Sequence, residues 1–358
     1  MPRSLLPSNK PQTVTGNSIE ISVKGKWSRV PALEVAGKFI IVRGRWLKLA
    51  LIEAEEWLAT ELEEPELCIK ELNEQGSHGL HADIFTFTQK LPSTTPKYKY
   101  PMDWDSVAAV CTTSFAEWWE KLPQETRKNV RRSQKRGVVV EVKELDDDAI
   151  RALMELNNDS PVRQGKTYRH YGKSFDQVKK DQESFPDRRD LVFAYSGSEL
   201  IGFMKIVYRG GVAAILQLLP KASHFDKRPA NILIAEAIKL CEAKRISYLT
   251  FGLFNYGNKR GDSLREFKIR NGFEEVLMPR YYVPLTLKGK FSMNLNLHRG
   301  LIGILPHSLI TLGVRVREKW YNLTRSRSGS ISRCSSMVEQ SNRIRQTGRS
   351  NPPAGSNT

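Results

Sequence analysis

Ala213-Ala214-Ile215-Leu216-Gln217-Leu218-Leu219-Pro220 is the stretch on which the fold turns. A short apolar run ended by proline predicts a strand buried on both faces. Polar Lys221–Arg228 follows as a loop, and Pro229 suits the first turn of a helix, where its missing N–H costs nothing. Ile232, Leu233, Ala237 and Leu240 then recur at helical spacing through Lys244. Ile246-Ser247-Tyr248-Leu249-Thr250-Phe251 reads as the next strand, closed by Gly252. Ser263–Asn271 is a short helix stopped by Gly272, and Tyr281-Tyr282-Val283-Pro284-Leu285 closes the unit as a strand. A strand–helix–strand crossover requires parallel pairing inside a covered sheet.

Working back toward the start, Ile19–Val23, Phe39–Val42 and Asp83–Thr88 alternate as strands. Trp46–Asn73 has helical periodicity through Leu47, Leu51, Ala54, Leu58 and Leu62, with Pro65 dividing it. Ser93–Trp104 is a connection. Ser114–Arg136 reads as a helix pair, the second member carrying Arg127, Lys128, Arg131, Arg132, Lys135 and Arg136. Residues 127, 131 and 135 lie four apart, as do 128, 132 and 136, so two cationic rows share one side. Arg127, Arg131 and Arg132 are therefore phosphate-binding candidates, against the plain reading of a solvated helix. Val138–Val142 is a strand, Asp146–Asn158 an acid-capped helix, and Leu191–Ala194 with Leu200–Val207 a hairpin.

The ordered set Phe251-Gly252, Phe267-Lys268 and Gly272-Phe273 resembles the second half of an acetyltransferase-like (GNAT) fold, and more narrowly its FemAB-like and BioF2-like branch. Trp119-x-x-Leu122, the Arg127–Arg136 helix and Gly137-Val138 are similar to the FemAB-like entry into its second domain. The resemblance runs from Trp104 to Leu285. It implies an α/β fold of acetyltransferase type, with a degenerate N-terminal half-repeat as the reading of the first third. The central strands are then expected as parallel neighbours splayed at their carboxyl ends.

The boundaries that follow are a disordered N-terminus at 1–16, an α+β half-domain at 17–103, and an acetyltransferase-like domain at 104–290. A C-terminal amphipathic helical segment occupies 291–322, where Leu309–Tyr321 sets Leu309, Leu312, Val316 and Trp320 on one side. Beside Arg315, Arg317 and Lys319 it either docks on its own domain or lies on an anionic membrane surface. Residues 323–358 form a Ser/Arg/Asn-rich tail expected to be disordered.

The implied activity moves an acetyl or aminoacyl group from a CoA thioester or an aminoacyl-tRNA to an amine or hydroxyl, on a small-molecule or cell-envelope-type acceptor. CoA-using relatives place a Gly-rich turn ahead of the central helix. Here His224–Asn231 contains no glycine, so acetyl-CoA or another acyl-CoA and the aminoacyl-tRNA both stay open as donor. Lys227, Arg228 and Asn231 remain candidates for holding the donor's phosphates by charge and by the helix N-terminus. Arg163-Gln164-Gly165-Lys166-Thr167-Tyr168-Arg169-His170-Tyr171-Gly172-Lys173 cannot bury a core. It is rich in groups that bind phosphates, hydroxyls and carbonyls, which marks Arg163, Gln164, Tyr168, Tyr171 and Lys173 as binding residues and His170 as catalytic. Asn255 and Tyr256 follow a parallel strand's carboxyl end, the usual ligand position in open α/β sheets. Tyr281 can protonate a leaving group, and Lys268 borders the acceptor site by resemblance.

Composition narrows the alternatives. Hydrophobic residues make 40% of the 358 and charged residues 27%, as in water-soluble domains. Cys68, Cys111, Cys241 and Cys334 have no pairing or zinc spacing, so no metal is expected. Met1–Gln12 lacks the apolar core of a signal peptide, and no apolar run spans a bilayer, so a cytoplasmic protein is expected, peripheral to the membrane if its basic helix binds there. The net charge of +17 favours an anionic partner, and tRNA is one. Six arginines of that excess lie in Arg325–Arg349, opposed only by Glu339. Two non-enzymatic readings stand beside the acyltransferase: a basic nucleic-acid-binding protein, and a degenerate scaffold at a membrane surface.

Overall fold

The computed structural model describes residues 18–23, 26–58, 60–75, 80–163, 166–255 and 263–299. Residues 1–291 form one compact unit and 292–358 another, of which the end of one helix and a 3-10 turn at Leu297–Arg299 are described. The amphipathic segment at Leu309–Tyr321 and the tail lie outside the described residues, as do residues 1–16.

In chain order the first unit opens with strands β1 (Ser18–Val23), β2 (Lys26–Val35), β3 (Lys38–Arg43) and β4 (Leu49–Ile52). Helix α1 (Pro65–Gln75) crosses to β5 (Ile84–Thr88), which lies parallel to β4. Strand β6 (Met102–Cys111) and helices α2 (Phe115–Lys121) and α3 (Gln124–Lys135) lead into β7 (Val138–Lys143) and α4 (Asp147–Asn157). A two-stranded ribbon, β8 (Val162–Arg163) and β9 (Lys166–Thr167), precedes α5 (Phe175–Gln182). The meander β10 (Arg189–Ser196), β11 (Glu199–Arg209) and β12 (Val212–Pro220) follows. Helix α6 (Pro229–Ala243) then crosses to β13 (Tyr248–Leu253), before α7 (Ser263–Arg270), β14 (Glu274–Pro284) and α8 (Leu287–Asn294).

Twelve strands form one sheet in the order β1-β2-β3-β4-β5-β14-β6-β13-β12-β11-β10-β7. Its connectivity is palindromic about the central pair β14–β6. On each side an antiparallel meander ends in a strand that crosses through a helix, α1 or α6, to a parallel neighbour. The last strand of the second half, β14, pairs with both β5 and β6, so the halves share one continuous sheet.

Burial follows the pattern that each element carries. Helices α2, α3 and α6 cover one face of the second half around Ile215, Leu233, Ile238 and Leu249, and α4 and α5 cover the other around Ile150, Leu153, Phe193 and Phe203. Gly202 on β11 lets α6 approach, because a Cβ there would stand 3.0 Å from both Leu233 and Pro229. The first half has its own core of Phe85, Phe87, Leu72 and Tyr281.

Two readings of the first half change. Leu49–Ile52 is a strand, and the helical spacing ends there because Ala54 adopts a left-handed φ of 49°. Pro65 starts α1 and does not divide a longer helix, as fits a residue with no N–H to donate. Strands β2 and β6 and helix α5 go unread in the sequence. The polar first half of β6, Asp103-Trp104-Asp105-Ser106, hides its strand character.

Lys205 on β11 is fully buried, its Nζ donating to Gln182 O at 2.9 Å and Ser184 Oγ at 2.8 Å. Burial, helped by the Arg189 charge, pushes its ammonium down to about 7. From there to the ordinary lysine range the unfolded chain holds a proton that the folded chain lacks, so this residue makes stability rise with pH. Lys205→Met is expected to remove up to about 1.4 kcal/mol per pH unit of that slope in urea unfolding between pH 7 and 10. An unchanged slope would mean that Lys205 stays charged in the fold.

Candidate functional site

Strands β12 and β13 pair only over Val212–Ala214 and Tyr248–Thr250. A bulge at Leu216 bends β12, for Lys205 faces Gln217 and Ile206 faces Ile215 across β11. Beyond Thr250, β13 regains pairing with β6 at Leu253, so the two parallel strands part toward their carboxyl ends. The edge of β12 that faced β13 is thereby left with backbone groups that the sheet does not use. Helix α6 begins beyond the carboxyl end of β12, at Pro229, with Arg228 in a left-handed conformation ahead of it.

A cleft of about 130 Å³ lies at the carboxyl ends of the parallel strands. Its walls are Glu55 and Glu56 after β4, Thr88–Leu91 after β5, and Gly252 and Leu253 at the end of β13. Asp105, Val107, Met278 and Arg280 of the central pair form the rest, with Arg209 from β11. The group is densely charged. Arg280 donates from Nε to Asp105 at 2.6 Å, from NH1 to Thr86 at 3.4 Å and from NH2 to Glu55 at 3.3 Å. Burial opposes its charge, but Glu55 and Asp105 outweigh that and hold it protonated. Burial raises the Glu55 carboxyl even though Arg280, the Thr88 N–H and Lys90 pull it down. Glu56, at the mouth, is also raised by the protein crowded around it, against the pull of Arg209 and Lys268. Burial and Arg209 push the Lys90 ammonium down to about 7, and its Nζ donates to Leu58 O.

The loop ahead of α5 is organised by hydrogen bonds. Arg163 donates to Pro220 O at 2.9 Å and Leu156 O at 3.2 Å while stacking 4.6 Å from the Tyr168 ring, which fastens the loop to the end of β12. Tyr168 donates to Asn157 at 3.0 Å, and burial raises its phenol. His170 Nδ1 lies 3.1 Å from Asp181 Oδ2 and Lys173 Nζ 2.6 Å from the same oxygen. Burial works against the Asp181 carboxylate, yet these two partners bring its pKa below the ordinary value. Tyr171 projects outward, 47% exposed, and Gln164 lies outside the described residues.

The remaining candidates separate. Asn255 donates to Glu275 at 2.8 Å and Ser106 at 3.2 Å and accepts from Arg265. Ser106 alternates with Asp105 and Val107, which line the cleft, so Asn255 belongs to the opposite face of the sheet. Tyr256 is outside the described residues. Tyr281 requires correction: it has no exposed surface, donates to Gln89 and accepts from Lys97 N at 2.8 Å, so its hydroxyl closes the first-half core and cannot meet a leaving group. Lys268 is likewise fully buried, its Nζ on Leu253 O at 2.6 Å, where it secures the end of β13.

Helix α3 buries Thr126, Val130 and Ser133, a broader face than Val130 alone. Of its outward cations, Arg127 meets Glu120, Arg131 lies over Trp119, and Arg132 donates to Asn129. Ser133 Oγ donates to Lys227 O and Arg228 O, which packs α3 on the turn before α6. Lys227 Nζ donates to Ser196, Asn231 to Asn271 at 3.1 Å, and the Arg228 side chain is exposed.

Sequence reasoning misses Glu55, Glu56, Lys90, Arg209 and Arg280. Glu55, Glu56, Lys90 and Arg209 lie at or just beyond an element's end, Arg280 lies inside β14, and Glu55 and Glu56 fall inside a stretch whose period looks helical. The available signal was the interruption of strands by lone charges, as at Arg280 within Glu274–Pro284. Among the described residues no cluster of His, Cys, Asp and Glu could hold a metal ion, and no helix is long and apolar enough to cross a membrane.

A family model described as an acetyltransferase (GNAT) domain matches residues 121–263. Among solved structures the chain is similar to L-PGS from Bacillus licheniformis, at 13% identity and a TM-score of 0.50 over 76% of this chain and 89% of that one. It is also similar to the C-terminal domain of a putative lysylphosphatidylglycerol synthetase from Agrobacterium fabrum, at 14% identity and a TM-score of 0.49 over 75% and 88%. The corresponding values for FemX are 10%, 0.48, 77% and 89%. At these identities the likeness is one of fold. No curated protein matches the chain.

Proposed function

From the premise that the chain carries an acetyltransferase (GNAT) domain at residues 121–263, we propose that it is an acyltransferase of the FemAB-like kind. The observation that carries this reading is the parting of β12 from β13 after Ala214 and Thr250. An unpaired strand edge recruits an extended, amide-bearing chain by main-chain hydrogen bonds. The arm of a CoA thioester has that form. Arg228 and Lys227, beside the start of α6, supply charge for its phosphates in place of a Gly-rich turn.

The acceptor enters the cleft at the carboxyl end of β13. Glu56 is the general base: it stands at the mouth, and its raised carboxyl brings its pKa toward working pH. The acceptor amine gives its proton to Glu56 as its nitrogen bonds to the acyl carbon. The carbon–sulfur bond of the thioester, or the carbon–oxygen bond of an aminoacyl ester, then breaks, and the thiolate or alkoxide leaves with the electron pair and takes the proton from Glu56. His170, Lys173 and Asp181 hold the loop that borders the end of β12 and take no part in the transfer.

Thermal unfolding of the full chain, titrated with acetyl-CoA, free CoA, and charged or uncharged tRNA at two salt concentrations, tests this reading. A ligand bound only by the folded state at 100 times its Kd adds about 2.7 kcal/mol. Saturable stabilisation by acetyl-CoA names a thioester donor, and stabilisation by charged tRNA alone names an aminoacyl ester. Shifts that any polyanion produces, and that salt abolishes, overturn the acyltransferase in favour of a basic nucleic-acid-binding surface.

A further inference from the structure

Arg280 and Arg209 line the same cleft and are used very differently. Arg280 has three acceptors within 3.4 Å, as its ion pairs require. Among the described residues Arg209 makes one hydrogen bond, at the limit of that contact, NH2 to Thr250 Oγ1 at 3.5 Å; its buried Nε has no partner among them, and the Glu56 carboxylate acts on it through charge alone. A guanidinium carries five donors in a fixed fork that matches a carboxylate, and a buried donor left unmet is costly. Arg209 also lines a second cavity of about 210 Å³, which adjoins the first through Lys90, Leu91 and Arg209 itself. Each cavity is far larger than the roughly 10–15 Å³ that a single water needs.

Around this unmet guanidinium the charges divide. Lys90 stands with Arg209, and its like-charge repulsion with Arg209 and Arg188 is part of what lowers its ammonium. Facing them are the carboxyls Glu55, Glu56 and Asp105, with Glu61 beside the second cavity. A phosphate dianion would relieve the cations but would meet that carboxylate wall. A bare amine would suit the carboxylates but leave Arg209 unmet. A small molecule bearing one anion and one cation satisfies both walls.

We infer that the acceptor is an amino acid, its carboxylate held by Arg209 and Lys90 and its amine directed at Glu56. This deepens the acyltransferase reading and rests on it for the word acceptor. The binding geometry does not depend on it. Arg280 acts as a positioning residue, keeping Glu55 and Asp105 paired so that Arg209, Lys90 and Glu56 are the charges left facing the cleft.

Isothermal titration of the full chain with each of the twenty amino acids is the test, followed for any that binds by its decarboxylated amine and its N-acetyl form. At least one amino acid is expected to bind saturably. Loss of one charge-assisted pair weakens binding by roughly tenfold to a hundredfold, and this loss is expected for the amine, for the N-acetyl form and for Arg209→Met. Arg209→Lys is expected to fall between, since it keeps the charge and loses the fork. Should Arg209→Met unfold, Lys90→Met reads the same carboxylate from the other side. The inference is overturned if no amino acid binds the wild-type chain, if the amine binds as tightly as the amino acid, or if both methionine variants bind like wild type. Amino-acid binding without stabilisation by any acyl donor would keep this assignment and sink the acyltransferase. The reverse result would keep the acyltransferase and sink this assignment.

Discussion

Arg280→Met is expected to lower folding stability by about 3–5 kcal/mol, the usual cost of leaving buried charges without their partner. Arg280 is three-quarters shielded from solvent, and its guanidinium joins Glu55 after β4, Asp105 on β6 and Thr86 on β5. The variant would leave two carboxylates facing each other across the middle of the sheet. Its deficit should also depend on pH. Glu55 already titrates above its ordinary value through burial, so the folded state holds its proton more tightly than the unfolded chain. Without Arg280 that preference grows, and stability falls as pH rises through the interval between the two values. Urea unfolding at pH 4.5 and 7.5 would therefore find the larger loss at the higher pH. Glu55→Gln in the Arg280→Met background should recover part of the loss. A deficit under about 1 kcal/mol at both pH values would mean that the cluster behaves like a surface ion pair.

Glu56→Gln is expected to lower kcat by roughly 10²–10⁴, the range for removing a general base. Among the described residues its side chain makes no hydrogen bond that glutamine would break, so the melting temperature should stay that of the wild type. The pH–rate profile separates a base from a bystander. The wild-type acidic limb should lie above the ordinary glutamate range, because the protein crowded around this carboxyl raises it although its side chain reaches solvent at the mouth, and Glu56→Gln should flatten it. A variant with wild-type kcat and an unchanged acidic limb would remove Glu56 from the mechanism and leave the cleft as a binding site only.

The expected splay of the central strands is present. Ala213–Leu219 and Ile246–Phe251 were legible because both runs are apolar and largely buried, with Pro220 closing the first; the second strand runs on past Gly252 to Leu253. The loop at Arg163–Lys173 was legible as irregular, but what it holds was not. Arg163 reaches back to Leu156 and Pro220, contacts separated by 7 and 57 residues in the chain. Tyr281 illustrates the limit of local reading. Placed beside Tyr282, it offers a hydroxyl of equal chemical promise, and only the pairing of β14 with β5 sends that hydroxyl inward to Gln89.

Local chemistry therefore determined the elements: apolar runs, caps and breakers act over a few residues, and the acetyltransferase-like half follows from their order. The cleft was decided by tertiary structure alone. Its charges come from Glu55, Lys90, Asp105, Arg209 and Arg280, each unremarkable among its chain neighbours. They meet because the palindromic sheet brings the ends of β5 and β13 to the two sides of β14 and β6. Burial there raises the Glu55 carboxyl, lowers the Lys90 ammonium and leaves Arg209 short of an acceptor among the described residues, and none of these effects exists in an extended chain.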